Sequence, residues 1–75
     1  MKLPSVKKNA GYYLRVWRAE RDLATFEAAK YFGIGPSHLS LIEAGKRNAS
    51  PKYAAKMAKA TGAPVEVFLG IAVTR

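Results

Sequence analysis

TFEAAKYFGIGPSHLSLIEAGKR, residues 25–47, carries two short apolar-periodic runs either side of Gly33-Ile34-Gly35-Pro36, and the reading of that junction decides the fold. In the first run Ala28, Ala29 and Phe32 recur at helical spacing, and Glu27 falls where the positive first turn of a helix favours an acid. Thr25 is expected to cap this helix through its hydroxyl. Gly33 ends it, because a chain turning sharply after a helix needs a residue that accepts the left-handed conformation without steric cost. Ile34 plugs the core beneath the turn. Pro36 suits the first position of the next helix, where its missing N–H is no loss, with Gly35 as the cap. That helix runs to about Ala44, and Gly45 stops it.

The spacing has a mechanical meaning. Two short helices that cross steeply approach closely at a small residue, here Ala29, and the turn between them needs Gly33. Leu39 and Ile42, three apart, fasten the second helix to a core. The pattern is that of a helix-turn-helix.

Before this unit, Met1 to Asn9 reads as a basic arm: Pro4 and Ser5 discourage helix, and Lys2, Lys7 and Lys8 favour solvent. Asn9 caps a first helix from about Ala10 to Arg21, with Leu14, Trp17 and Tyr13 inward and Arg15 outward. Asp22 and Leu23 lead to the second. After the unit, Ser50-Pro51 repeats the start signal, and a fourth helix reaches Thr61 with Ala54, Met57 and Ala58 on its buried face before Gly62. Pro64 opens a last short helix through Leu69. From Gly70 to Arg75 the alternation of Ile71 and Val73 with Ala72 and Thr74 fits a strand or an extended strap. The expected architecture is all-α: an arm at 1–9, a five-helix domain at 10–70, and a short extended C-terminal tail at 71–75.

Seventy-five residues make one domain, and with hydrophobic residues at 49% its single core is built economically from helices. The chain has no cysteine, which removes disulfides and thiolate zinc sites and fits a cytoplasmic protein. No stretch approaches the roughly 20 apolar residues that cross a bilayer, and no partnership with membrane is expected. Thirteen Lys and Arg against five Asp and Glu give a formal charge of +8, a field that attracts polyanions. The charge is uneven: between Glu43 and Glu66 there is no acid, while Lys46, Arg47, Lys52, Lys56 and Lys59 all fall there. Lys52, Lys56 and Lys59 fit the solvated stripe of an amphipathic helix, whereas Lys46 and Arg47 follow a helix end.

TFEAAKYFGIGPSHLSLIEAGKRNASP, within a span of about residues 10–70, resembles the phage-repressor and Cro type of helix-turn-helix domain, the xenobiotic-response-element family. Leu14, Arg18, Ala29, Gly33, Leu39, Ile42, Glu43, Gly45, Lys46 and Arg47 stand where that family's pattern places such residues. The resemblance implies a five-helix lambda-repressor-like fold and a sequence-specific double-stranded DNA-binding regulator, bacterial or phage-encoded. Such proteins are often dimeric repressors with the third helix in the major groove. It also implies an ion pair between Arg18 and Glu43 that ties the first helix to the end of the third. Thr25 departs from the glutamine many relatives carry there.

At about 100° per residue, with Leu39 and Ile42 inward, the far side of the third helix carries Ser37, Leu41 and Ala44, flanked by Ser40 and His38. The Gln, Arg or Lys forks that read adenine or guanine in relatives are missing. What remains for base edges is Leu41 against a thymine methyl, the hydroxyls of Ser37 and Ser40, and His38, which either donates one hydrogen bond or is merely solvated. Phosphates are left to Thr25, Lys46, Arg47 and Asn48, with DNA shape adding selectivity. The apolar residues Val65, Val67, Phe68, Leu69, Ile71 and Val73 exceed what a terminal segment needs. Either Phe68, Ile71 and Val73 form a two-fold interface, or the segment straps its own core.

Enzyme chemistry is not expected. One histidine, no cysteine and no clustered carboxylates leave neither an acid–base pair nor a metal site, and no cofactor motif is complete: Gly33-Ile34-Gly35 lacks a third glycine and a preceding strand. The rival reading is a protein-interaction module whose third helix binds a protein, such as an antitoxin with its toxin or an adaptor on a polymerase.

Overall fold

The structure, a computed structural model, describes residues 9–70. These form five helices and no strand: α1 (Ala10–Arg21), α2 (Thr25–Phe32), α3 (Pro36–Glu43), α4 (Pro51–Thr61) and α5 (Val65–Leu69). The arm at 1–8 and the tail at 71–75, with the candidate dimer residues Ile71 and Val73, lie outside the described residues.

The N-terminus of α1 is closed by Asn9, whose Oδ1 accepts the Tyr12 N–H at 2.9 Å, and Leu14 and Trp17 point into the core. Asp22 ends the helix in the left-handed region at φ 54°, one of the few side chains that tolerate it. Arg18 then braces the corner twice: its carbonyl accepts the Leu23 N–H at 2.9 Å, and its guanidinium donates to the Leu23 carbonyl at 3.1 Å.

The start of α2 corrects the expected Thr25 cap. The cap residue is Ala24, in extended conformation and with no side-chain acceptor, and Thr25 is already the first helical residue. Only the return half of a capping box is made: Glu27 Oε1 accepts the Ala24 N–H at 2.8 Å. At the other end Gly33 adopts φ 79°, and the Ala29 carbonyl accepts both the Gly33 N–H at 2.8 Å and the Ile34 N–H at 3.0 Å. Those two bonds fold the chain back so that α3 starts two residues later. Ile34, half-buried, packs against the core there.

The core is one cluster in which Leu14, Phe32, Leu39, Ile42, Met57 and Phe68 are the largest fully buried side chains. Each contributes about 2 kcal/mol by leaving water. Ala28, Ala29, Ala49, Ala54 and Ala63 fill the remaining positions and let the helices approach closely. The result is that α3 rests on both α1 and α2, while α4 packs on α1 and closes with α5. Pro64 is the cap of α5 rather than its first residue.

Phe68 requires a second correction. It is 1% exposed, so its ring closes the monomer core and is not available to a two-fold interface. A five-residue helix that folds back along α4 uses one large ring completely, and its neighbours Val65, Val67 and Leu69 are half-buried beside it.

Candidate nucleic-acid interface

The inner face of α3 is fixed by Leu39 and Ile42, at 0% and 1% exposed. Helical geometry then turns Ser37, Ser40, Leu41 and Ala44 to solvent, and all four are exposed. Leu41, at 38%, is an apolar side chain presented to water at the centre of this strip. His38 behaves differently. It is half-buried, with its ring nearly perpendicular to that of Tyr53 on α4 at 6.4 Å between centroids. The freely solvated alternative is therefore set aside, and the outward strip is narrower than helical periodicity alone implies.

The C-terminal end of α3 is held by side chains of α1. Arg18 grips Glu43 with a two-pronged pair, Nε to Oε2 at 2.8 Å and Nη2 to Oε1 at 3.1 Å. Both partners are largely shielded from solvent, at 20% and 10% side-chain exposure. Arg15 Nη1 adds a longer hydrogen bond to the Glu43 carbonyl at 3.3 Å. These cations sit at the negative end of the helix dipole. Gly11 makes the approach feasible, since a Cβ there would run into the Glu43 carbonyl oxygen.

Beyond Glu43 the chain is closed by the Lys46 N–H to the Leu41 carbonyl at 2.9 Å, and Lys46 and Arg47 follow the end of α3, both exposed. Neither forms an ion pair among the described residues, so their charge is open to an external anion. Asn48, also exposed, leans against Gly70, where an added Cβ would meet its side-chain amide. Its side chain is thus directed at the end of α5 rather than extended alongside Lys46 and Arg47. The loop returns to the core at Ala49, whose N–H donates to the Phe68 carbonyl at 2.9 Å. Thr25 is half-buried at the first position of α2, on a separate element from this loop.

Three contributors escaped the sequence reading. Gly11 and Arg15 position α3, and neither has a local signal beyond a glycine inside a helix and an arginine one turn on. Tyr53 is the third: Lys52 and Lys56 lie over its ring at 5.6 and 5.8 Å while His38 meets its edge. The clue available was an aromatic residue between lysines just after Pro51. All three lysines expected on a solvated stripe are exposed, and two of them, Lys52 and Lys56, also lie over this ring.

Among the described residues no group of three or more His, Cys, Asp or Glu is placed to hold a metal ion, and no helix is long and apolar enough to cross a membrane. A short helix projected from a glycine turn, anchored behind and flanked by free cations, defines the helix-turn-helix class. The chain belongs to the Cro/C1-type helix-turn-helix family, whose model matches residues 14–68, and that is a family of DNA-binding transcription regulators. No curated protein and no solved structure matches the chain significantly.

Proposed function

We propose that the chain is a transcriptional repressor that reads double-stranded DNA by laying α3 in the major groove of a near-palindromic operator. The observation that carries this reading is the division of α3 into an anchored inner face and an exposed strip that runs into the unpaired Lys46 and Arg47. Ser37, Ser40 and Leu41 form the base-reading surface, with Leu41 against a thymine methyl and His38 at its margin. Lys46 and Arg47 take phosphates. Thr25, at the start of α2, takes a phosphate through its own N–H, since helix N-termini favour anions, and Asn48 is a lesser contact because its side chain leans on Gly70. Two copies of α3 on half-sites roughly 34 Å apart would read such an operator, with Ile71 and Val73 supplying the pairing surface. Cytoplasmic function in a bacterium or phage-infected cell follows from that role.

Selection of bound duplexes from a random library, followed by footprinting and salt titration, tests the reading. A near-palindromic consensus and an affinity that falls steeply with salt are expected. Lys46→Ala combined with Arg47→Ala should weaken all duplexes alike and lower the salt slope by about 2, whereas Leu41→Ala should change the preferred base at one position. Equally weak binding to every duplex would favour the rival, in which α3 with its exposed Leu41 docks on a protein such as a toxin or a polymerase subunit.

A further inference from the structure

Away from α3, the C-terminal turns of α1 and α2 and the second half of α4 frame a wide-mouthed cleft of about 530 Å³ lined by Trp17, Arg21, Tyr31, Lys56, Lys59 and Ala60. That volume lies within the range of small-molecule sites, roughly 300–1,000 Å³. Trp17 forms a floor, 3% exposed, and Tyr31 stands beside it at 5.1 Å between ring centroids and 57° between planes. The Arg21 guanidinium lies 5.0 Å over the Trp17 ring.

Two features are not accounted for by folding. Tyr31 packs on Trp17 and Phe32 and still leaves 65% of its surface exposed, so much of its ring is open to a ligand. The lining also gathers Arg21, Lys56 and Lys59 with no acid among them, and like charges held together raise the energy of the unoccupied site. Lys56 and Lys59 take part in no ion pair among the described residues. Arg21 is held over Trp17 by a hydrogen bond to its carbonyl at 3.3 Å, but its only acid partner among the described residues is Glu20 at 3.5 Å, with the two side chains 47% and 67% exposed, a contact of little strength.

Rings and cations on one concave surface match a ligand that is itself planar and negatively charged. We propose that the cleft binds a small free anion carrying an aromatic ring, the ring against Tyr31 above Trp17 and the anionic group among Arg21, Lys56 and Lys59. Neither α3 nor the loop with Lys46 and Arg47 lines the cleft; Lys56, which also lies over Tyr53 at the margin of the proposed DNA contact, is the residue the two share, and the proposal stands without that contact.

Trp17 is the one tryptophan of the chain, so its emission reports directly on the floor of the cleft. The full chain is titrated with 5′-AMP and with benzoate, and with inorganic phosphate as the ringless control. A saturable change is expected with one or both aromatic anions, and phosphate should bind at least about tenfold more weakly. Lys59→Gln should weaken the aromatic anion about tenfold, the loss of one charge-assisted hydrogen bond. Tyr31→Leu should weaken it while leaving the phosphate response in place; both residues are exposed, and an unchanged thermal midpoint verifies that the variants fold. No saturable response to either aromatic anion, an equal response to phosphate, or unaltered titrations in both variants would overturn the proposal. So would displacement of 5′-AMP by a short duplex to which Lys59→Gln binds correspondingly less well, since the cleft would then belong to a nucleic-acid surface.

Discussion

The two ends of α3 are held in different ways. Its C-terminal end is gripped by three residues of α1: Arg18 on the Glu43 carboxylate, Arg15 on the Glu43 carbonyl, and Gly11 in close approach behind it. Its N-terminal end has no side-chain cap; it relies on the extended backbone of Gly35 and the fixed φ of Pro36, with the left-handed Gly33 two residues before. The tightly held end is the one from which Lys46 and Arg47 emerge. The helix is thus clamped by side chains at the end where the cations leave it and held by backbone conformation alone at the other.

The largest effect comes from breaking the grip. Arg18→Ala leaves the carboxylate of Glu43, 10% exposed in its side chain, without its ion-pair partner and also removes the brace on Leu23. A loss of about 3 kcal/mol is expected in urea denaturation, the lower end for a pair that is not wholly buried. For so small a domain that is a large share of the total stability.

A smaller effect, of more diagnostic sign, is expected at Gly11. Helix propensity alone predicts that Gly11→Ala stabilises α1 by about 0.5–1 kcal/mol. The added Cβ collides instead with the Glu43 carbonyl oxygen, so a destabilisation of about 1–3 kcal/mol is expected, accompanied by weaker duplex binding as α3 is pushed from its seat. A rise in the thermal midpoint would show that α1 and α3 are not in close contact.

The free end should respond least. A Cβ at Gly35 meets nothing within 4 Å, and the backbone is already extended at φ −73°, so Gly35→Ser adds a cap without strain. A gain of a few tenths of a kcal/mol is expected, read as a small upward shift of the thermal midpoint with duplex affinity unchanged. If this substitution disturbed the domain as much as Gly11→Ala does, the contrast between the two ends would disappear.

The helix boundaries were legible because their punctuation is local. Asn9, Gly33, Pro36, Pro51 and Gly62 each act through their own backbone, and the elements end where those residues require. What was lost depended on partners distant in sequence. Thr25 looked like a cap because hydroxyls usually cap, but the helix begins one residue earlier than that role needs, and Glu27 supplies the missing acceptor for Ala24. Phe68 looked surplus because its cover, α4 and the loop at Ala49, is invisible to a reading of residues 65–73 alone. His38 follows the helical wheel to the flank of the strip, and only the placement of α4 reveals that Tyr53 occupies the space beside it. The long-range clamp around Glu43 was readable only through likeness to a family, and that likeness covered Arg18 but not Arg15 or Gly11.

The bond from the Ala49 N–H to the Phe68 carbonyl, with Asn48 resting on Gly70, fastens the basic loop to the last described turn of the chain. Lys46 and Arg47 are therefore carried on a rein whose other end is α5. If the two cations take phosphates as proposed, a change at α5 would be transmitted to those contacts through this loop, whose other attachment is the Lys46 N–H on the Leu41 carbonyl.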